Sequence, residues 1–142
     1  MIIVFDMDNT LTDEMGSSLR PGIIVLLQKL VKEKFELKLW TNSKKDRAIS
    51  ILHEHKLKLY FSEFVFRENY DPEDKGIRKD IRKVKGEILI DDDPKEIQYV
   101  KSIGKDGFLI SSFRKGKAVK ENELEEVYKF IINKKGFFKK LF

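Results

Sequence analysis

The first ten residues, Met1-Ile-Ile-Val-Phe-Asp-Met-Asp-Asn-Thr10, decide the fold. The apolar run from Ile2 to Phe5 predicts a buried strand, and it stops at Asp6, which is followed by Asp8 and Thr10. Two carboxylates at the end of a buried strand are costly unless another group compensates their charge. Because ligands bind at the carboxyl ends of the strands in open α/β sheets, this stretch predicts a functional site.

Strand and helix patterns alternate along the rest of the chain. Apolar or alternating runs predict strands at residues 2–5, 36–40, 61–66, 87–90 and 107–110, and apolar stripes predict helices that begin near residues 23, 45, 77, 94 and 121. Residues 11–20 and 67–74 are polar and predict loops, of which the first is a short flap across the mouth of the site. This alternation predicts an α/β three-layer sandwich with a mainly parallel, Rossmann-like sheet of about five strands.

The length of 142 residues predicts a single domain. We assign residues 1–133 to this domain, with a final helix ending at Asn133, and residues 134–142 to a basic and aromatic C-terminal tail. The tail has four apolar side chains among lysines: Phe137, Phe138, Leu141 and Phe142. Such a tail packs against its own domain or contacts a membrane surface, a nucleic acid or a second subunit, so a homo-oligomer stays open.

The composition excludes several kinds of site. The chain has no cysteine and two histidines, which excludes disulfides, thiolate metal sites, cysteine nucleophiles and histidine-rich metal sites. No apolar run reaches the roughly 18 residues of a membrane span, and the first run is too short for a signal peptide. We therefore expect a cytoplasmic protein.

The chain is basic and rich in charge. Its net charge is +5, and charged residues make up 37% of the sequence. A highly charged chain without cysteine is typical of heat-adapted proteins. A basic surface also attracts nucleic acid, anionic membranes and phosphorylated substrates. The charge alone leaves these interpretations open.

Three of the predicted strands end in polar side chains that would converge at one edge of the sheet. Strand one ends in Asp6 and Asp8, strand two runs into Thr41, and strand four ends in Asp91 and Asp92. Carboxylates packed together raise one another's pKa, and a bound divalent cation removes that repulsion. A cluster of hard oxygen ligands suits Mg²⁺, so the pattern predicts a magnesium site beside a phosphate-binding hydroxyl.

These motifs resemble those of a known enzyme superfamily. The stretch Asp6-Met-Asp-Asn-Thr10 is similar to the D-x-D-x-T signature of the haloacid dehalogenase superfamily. Thr41 resembles its second motif, and Asp91-Asp92 resembles its fourth. The motifs occur in the family's order over nearly the whole chain, which implies a phosphatase of the capless kind.

Two lysines compete for the third motif. Lys79-Asp80-Ile81 resembles the K-D-L stretch of the small phosphatases that act on the polymerase C-terminal domain. Arg67-Glu68-Asn69-Tyr70 and Lys75 instead resemble the magnesium-dependent phosphatase branch. We favour Lys79, with Lys75 as the alternative.

The resemblance implies a role for each residue of the first two motifs. Asp6 would be the nucleophile that forms an aspartyl-phosphate, and Asp8 the general acid and then the general base. Thr10 would hold the turn. Thr41 and Asn42 would bind the phosphoryl oxygens together with the lysine of the third motif.

The resemblance also implies the ligands of Mg²⁺. Asp6, the backbone carbonyl of Asp8 and Asp92 would hold the ion. Asp91 would be a supporting acid that orients the lysine or a water molecule.

The chain leaves no room for a cap domain beside these motifs. About 30 residues separate Thr10 from Thr41, and a flap, a helix and a strand fill them. Capless members of the superfamily act on large or exposed phosphorylated groups, so we expect a Mg²⁺-dependent phosphatase acting on a macromolecule or a small phosphomonoester. A nucleic-acid or nucleotide end phosphatase is an alternative that the basic charge favours, and a non-catalytic phospho-receiver or phosphate-binding module is a further one.

Overall fold

The computed structural model describes the backbone of residues 1–141 and the side chains of residues 1–136. Its five strands are β1 (Ile2–Phe5), β2 (Glu36–Trp40), β3 (Glu63–Val65), β4 (Ile88–Asp91) and β5 (Asp106–Leu109). They form one sheet in the order β3-β2-β1-β4-β5, and every neighbouring pair is parallel. The predicted α/β fold with a parallel sheet is confirmed, and β1 lies at its centre.

Helices cover both faces of the sheet. The α-helices are α1 (Ile23–Lys32), α2 (Lys45–Glu54), α3 (Arg67–Tyr70), α4 (Pro94–Ser102) and α5 (Glu123–Leu141), and short 3-10 turns occupy Lys58–Tyr60 and Ile81–Val84. The start of α4 follows the sequence pattern, because Pro94 opens it and the Asp93 carboxylate accepts a hydrogen bond from the Lys95 N–H at 2.9 Å.

The central strand divides the apolar core between the two faces. Ile3 and Phe5 are fully buried in the larger cluster, which also contains side chains of α1, α2 and α5. Val4, between them, belongs to a second cluster with Trp40 and with Val100 of α4. This strand is therefore apolar at every position because both of its faces are covered. The burial fixes the point at which its carboxyl end meets the solvent.

The segment between β3 and β4 differs from the prediction. The loop expected from residue 67 begins with the short helix α3, and the helix expected from Ile77 is reduced to the 3-10 turn Ile81–Val84. The buried Asp71 carboxylate accepts hydrogen bonds from the backbone N–H groups of Lys75, Gly76 and Ile77. These bonds hold residues 75–77 in a loop, and the chain stays non-helical up to Asp80.

The last helix is longer than predicted. Helix α5 continues to Leu141, past the expected end at Asn133. The side chains of Phe137, Phe138, Leu141 and Phe142, on which the predicted tail interaction depends, lie outside the described residues. Within residues 1–141, no helix has both the length and the apolar character needed to cross a bilayer.

The flap between β1 and α1 is fixed in place. The buried Asp13 carboxylate accepts hydrogen bonds from the Met15 and Ser17 N–H groups at 3.0 and 2.9 Å, which closes a tight turn. Gly16 lies at a positive φ of 70°, and its carbonyl is 2.8 Å from the Nε2 atom of His55 after α2. A Cβ atom at Gly16 would lie 2.4 Å from the Cδ1 atom of Ile51, so the flap packs directly on α2.

Replacing Gly16 with alanine tests this packing. We expect Gly16→Ala to lower the free energy of unfolding by roughly 2–4 kcal/mol, because the positive φ and the clash with Ile51 both add strain. Gly116 is a matched control, since its φ is 78° but an added Cβ atom would meet nothing within 4 Å. Urea unfolding should show a smaller loss of about 1–2 kcal/mol for Gly116→Ala. Equal losses would contradict the close contact between flap and helix.

Candidate active site

Asp6 lies at the centre of the site, directly after β1. Its backbone N–H donates a hydrogen bond to the Ile90 carbonyl of β4 at 3.0 Å, so the residue is still held by the sheet. Its side chain is buried, with a relative exposure of 7% for the residue. The structure thus places a carboxylate at the carboxyl end of the most central strand.

The turn after Asp6 is tightly wound. The Met7 carbonyl accepts hydrogen bonds from the N–H groups of Thr10, Leu11 and Thr12 at 2.8–3.2 Å. Asn9 lies at a positive φ of 65°, a conformation that asparagine adopts more readily than most residues. The buried Thr10 hydroxyl donates to the Oδ2 atom of Asp6 at 2.9 Å. Thr10 therefore holds both the turn and the carboxylate.

Arg20 is buried and supports this turn. The sequence predicted it only as a residue of the flap. The Arg20 Nε atom donates to the Thr10 carbonyl at 2.7 Å, and its Nη2 atom donates to the Asn9 carbonyl at 3.0 Å. The same side chain pairs with Glu123 of α5 at 3.4 Å. No local pattern marks Arg20, because its partners come from both ends of the chain.

Of the two candidate lysines, Lys79 lies in the site. Its Nζ atom is 2.9 Å from Asp6 Oδ1 and 2.7 Å from Asp91 Oδ2, and the residue is buried. Lys75 points elsewhere: its exposed Nζ atom pairs with Glu73 at 2.6 Å. The geometry therefore brings the favoured lysine, and not the alternative, to the carboxylates.

Lys79 is positioned by two acids that the sequence did not predict, Glu96 and Asp71. The Glu96 carboxylate on α4 accepts a hydrogen bond from the Lys79 backbone N–H at 3.1 Å. The buried Asp71 carboxylate fixes the preceding loop. Burial opposes the ionisation of Asp71, but its hydrogen bonds from Lys75, Ile77 and Gly76 lower its pKa below the ordinary value.

The two acids at the end of β4, Asp91 and Asp92, make different contacts. Asp91 is the last residue of the strand, and its second oxygen, Oδ1, accepts the Asp93 N–H at 3.0 Å. Both oxygens of Asp91 are therefore engaged, one by Lys79 and one by backbone. Asp92 is less buried, and its Oδ1 atom lies 3.5 Å from the Thr10 hydroxyl. Asp92 faces Asp6 with fewer partners than Asp91 has.

Burial gives the acids of the site unusual proton affinities. Burial raises the pKa of Asp6 to about 6, against the attraction of Lys79 and with the repulsion of Asp92. Burial and the charge of Asp6 likewise raise the pKa of Asp91 to about 6. Burial opposes the charge of Lys79, yet Asp6 and Asp91 raise its pKa well above the ordinary value. Lys79 therefore stays protonated, but its single positive charge does not balance the negative charge of the surrounding carboxylates.

The chemistry of these donors fits a hard divalent cation. Carboxylate oxygens of Asp6, Asp91 and Asp92 lie within 4.8 Å of one another, and no sulfur or imidazole is among them. Asn9 lines the same depression, and its buried Oδ1 atom has no hydrogen-bond partner among the described residues. Clustered carboxylates and a free acceptor are features that a hydrated cation would satisfy.

The Asp8 side chain points away from these acids, toward α2. Both of its oxygens accept hydrogen bonds from Arg47, each at 3.0 Å. Its carboxylate is therefore not part of the acid cluster, which agrees with an expected metal contact through the backbone carbonyl alone. Arg47 was not a sequence candidate, although it lies one helical turn after Ser43 and so on the face of α2 that meets the site.

The residues after β2 form the remaining wall. Thr41 is buried, and its hydroxyl accepts the Ser43 N–H at 3.0 Å. Asn42 is exposed, its carbonyl accepts the Arg67 Nε–H at 2.8 Å, and its side-chain oxygen accepts the Tyr70 hydroxyl at 3.1 Å. The loop that carries both predicted phosphate ligands is thereby held beside Asp6.

Two depressions of different character meet at Asp6. One, of about 410 Å³, is lined largely by acids, and its charged lining residues are Asp6, Asp71, Arg78, Lys79, Asp91, Asp92, Asp93 and Glu96. The other, of about 570 Å³, has three acids and three bases, which are Asp6, Asp8, Glu14, Lys44, Arg47 and Arg67, with Thr41, Asn42 and Ser43 between them. The first suits a cation, and the second adds basic and hydroxyl groups beside Asp6.

Comparison with known proteins assigns the chain to a family. The sequence profile of the NLI interacting factor-like phosphatases (NIF) matches residues 1–140. The sequence matches no curated protein.

Solved structures show the same fold at low sequence identity. The chain is similar to a putative beta-phosphoglucomutase from Thermotoga maritima (15% identity, TM-score 0.68, covering 90% of this chain and 98% of that one). It is also similar to the D,D-heptose 1.7-bisphosphate phosphatase from B. bronchiseptica, solved with magnesium and phosphate (13%, 0.67, 94% and 98%). A third likeness is to a chain of the Pnkp1/Rnl/Hen1 complex (14%, 0.55, 78% and 45%).

The raised pKa values predict how pH and Mg²⁺ act on stability. Without metal, folded Asp6 and Asp91 bind protons more tightly than they do in the unfolded chain, so the stability they contribute at low pH is lost as pH rises from about 4 to above 6. A Mg²⁺ ion at this cluster would bind the ionised carboxylates, so millimolar Mg²⁺ should raise the melting temperature by several degrees at about pH 7.5 and by less at about pH 5.

The control for this measurement is Asp6→Asn at matched ionic strength. The variant should reduce the Mg²⁺ effect, because it removes one carboxylate of the cluster. An equal stabilisation at both pH values, or one that is unchanged in Asp6→Asn, would contradict a cation site at these acids.

Proposed function

The chain belongs to the NLI interacting factor-like phosphatase family, and from this premise we propose a Mg²⁺-dependent phosphatase that hydrolyses phosphomonoesters through an aspartyl-phosphate at Asp6. One observation carries the proposal: Lys79 contacts both Asp6 and Asp91, at 2.9 and 2.7 Å. Three residues that are distant in the sequence thus meet at the strand end where the nucleophile would act. This is the arrangement that the superfamily resemblance requires of its lysine.

Asp6 suits the role of nucleophile because its carboxylate is fixed. Lys79 holds one oxygen and the Thr10 hydroxyl holds the other. A nucleophile held in this way loses little conformational freedom when the phosphorus atom approaches. The positive charge of Lys79 also reduces the repulsion between the carboxylate and an incoming phosphate dianion.

Mg²⁺ would be held by Asp6, Asp92 and the backbone carbonyl of Asp8, with Asp91 as the supporting acid. When bound, the ion would supply charge shielding between the anionic nucleophile and the anionic phosphate.

Asp8 would transfer the protons. In the first step a carboxylate oxygen of Asp6 attacks phosphorus, the bond to the leaving oxygen breaks, and Asp8 gives its proton to that oxygen. In the second step Asp8 takes a proton from water, whose oxygen attacks phosphorus and releases Asp6 and inorganic phosphate. Asp8 lies two residues after Asp6, within the tight turn, and both residues line the same depression.

Thr41, Asn42 and Lys79 would bind the phosphoryl oxygens. Thr41 and Asn42 line the 570 Å³ depression together with Asp6, and Lys79 touches Asp6 from the side of the other depression. Donors fixed by the surrounding backbone stabilise the charge of the transferring group without further reorganisation. Their placement supports the phosphate-binding roles expected from the second and third motifs.

An open mouth favours a large or exposed substrate. The side chains around it include Asn42, Lys44 and Arg47, all of which reach the solvent. The flap packs on α2 at Gly16 and contributes Glu14 to the lining of the depression. A phosphate group at the end of an exposed chain could enter such a site without a cap closing over it.

A phosphatase acting on nucleic-acid ends is the second candidate. The net charge of +5 favours polyanionic substrates, and one structural neighbour is described as a Pnkp1/Rnl/Hen1 RNA repair complex. Binding to an end-phosphorylated oligonucleotide should then fall steeply with salt. A phospho-receiver, the remaining alternative, would keep its phosphate rather than release it.

Hydrolysis of p-nitrophenyl phosphate with and without Mg²⁺ tests the proposal. We expect Asp6→Asn to abolish Mg²⁺-dependent turnover because no acceptor for the phosphoryl group remains. Asp8→Asn should lower kcat by about 10²–10⁴-fold, because proton transfer is lost. Turnover that survives Asp6→Asn would exclude the proposed nucleophile.

The two lysines provide a matched pair in the same assay. Lys79→Met should lower kcat by about 10²-fold or more, since it removes a charge that touches the nucleophile. Lys75→Met removes an exposed lysine outside the site and should leave kcat unchanged. Circular dichroism of both variants would show whether the loss reflects unfolding.

A further inference from the structure

Arg47 makes a contact that the proposed chemistry does not use. Its Nη1 and Nη2 atoms each lie 3.0 Å from a different oxygen of Asp8. The pair lines the 570 Å³ depression, where the Arg47 side chain is 43% exposed and that of Asp8 is 28% exposed. A two-pronged arginine therefore covers the residue expected to transfer protons.

The guanidinium of Arg47 has a defined position. Its Nη1 atom also donates to the Ser43 hydroxyl at 3.0 Å, and its Nη2 atom donates to the Glu14 carbonyl at 3.2 Å. These contacts tie it to the loop after β2 and to the flap. With these four hydrogen bonds, the guanidinium of Arg47 is held in one position at the mouth of the site.

The pair conflicts with the role of Asp8 as an acid. A bidentate arginine stabilises the ionised carboxylate and occupies both of its oxygens. To give a proton to a leaving oxygen, Asp8 must be protonated and at least one of its oxygens must be free. The pair must therefore open during each catalytic cycle, which frees Arg47 to bind another anion.

The same depression supplies a second cation for such an anion. Lys44 lines it and is exposed. Arg67 also lines it, but its Nε atom already donates to the Asn42 carbonyl and its Nη2 atom lies 3.9 Å from Asp74. Arg47 and Lys44 together offer two positive charges and several N–H donors, which favours a phosphate group, as a monoester or a diester, over a single carboxylate.

We propose that Arg47 and Lys44 form a subsite for a second phosphate group of the substrate, and that its binding draws Arg47 away from Asp8. The inference rests on the proposed phosphatase function, because it places this second group beside the phosphomonoester held at Asp6. Arg47 and Lys44 line the same depression as Asp6, so the two phosphates belong on one substrate molecule. A nucleoside bisphosphate carries two phosphate groups, and the phosphorylated end of a nucleic acid carries a phosphodiester beside its terminal phosphate.

A pair of substrates that differ only in the second phosphate tests the subsite. Wild-type protein should hydrolyse a nucleoside 3′,5′-bisphosphate with a kcat/KM at least about tenfold above that of the nucleoside 5′-monophosphate. Arg47→Gln should bring this ratio close to one, since it removes the bidentate donor. Arg82→Gln is the matched control, because that arginine is also exposed and paired with a carboxylate, Asp80, at 2.8 Å but lines neither depression; its ratio should equal the wild-type one.

The outcomes separate the subsite from a purely structural role. If Arg47 only positions Asp8, Arg47→Gln lowers kcat/KM for both substrates equally and the proposal is wrong. The proposal is also overturned if the wild type does not distinguish the two nucleotides, or if a phosphoserine peptide with adjacent carboxylates is preferred to both. A 5′-phosphorylated dinucleotide identifies the source: a rate above that of the bisphosphate indicates a nucleic-acid end, and a lower rate indicates a small bisphosphate.

Binding to Asp6→Asn keeps the subsite testable without turnover. Calorimetry should show the bisphosphate binding at least about tenfold more tightly than the monophosphate, with the difference lost in Asp6→Asn combined with Arg47→Gln. If no phosphomonoester is hydrolysed but this difference appears, the proposed function fails while the subsite stands. If both nucleotides are hydrolysed at equal kcat/KM and bind equally, the function stands while the subsite fails.

Discussion

The contact of the Lys79 ammonium with Asp6 and Asp91 is the interaction on which the site depends. A parallel sheet brings the ends of β1 and β4 together, so their carboxylates must share one buried space. Breaking a buried ion pair by removing one partner costs about 3–5 kcal/mol, because the remaining charge is left uncompensated. Lys79 compensates the negative charge of Asp6 and Asp91. The charge of the third acid, Asp92, would be balanced by a bound cation. Structure and proposed chemistry thus follow from the same excess of negative charge.

Buried polar groups around this contact hold its residues in position. Arg20 ties the turn after β1 to the start of α5, and Asp71 holds the loop that leads to Lys79. Glu96 fixes the backbone of Lys79 from α4. Each of these groups uses hydrogen bonds to backbone, which offsets the cost of burying its charge.

The sequence predicts the elements that are governed by local pattern. Strands β1 and β2 lie where the apolar and alternating runs place them, and the acids after β1 and β4 meet as a parallel sheet requires. The segment before Lys79 is different, because its apolar spacing suggested a helix, whereas residues 75–77 form a loop that is held by three backbone hydrogen bonds to the Asp71 carboxylate. The partners of Arg20 and Arg47 depend on contacts between distant segments, and no periodicity encodes them. Local patterns therefore locate the main acids, whereas the polar groups that orient them emerge only from the folded chain.

The central claim is that Asp6 carries the phosphoryl group during turnover. The most direct measurement is mass spectrometry of peptides from protein quenched in acid while it turns over a phosphomonoester with Mg²⁺, using Asp8→Asn to slow hydrolysis of the intermediate. The account predicts a phosphoryl group on the peptide that contains Asp6, removable by hydroxylamine as an acyl phosphate is. A phosphoryl group on another side chain, or turnover without any phosphorylated peptide, would contradict it.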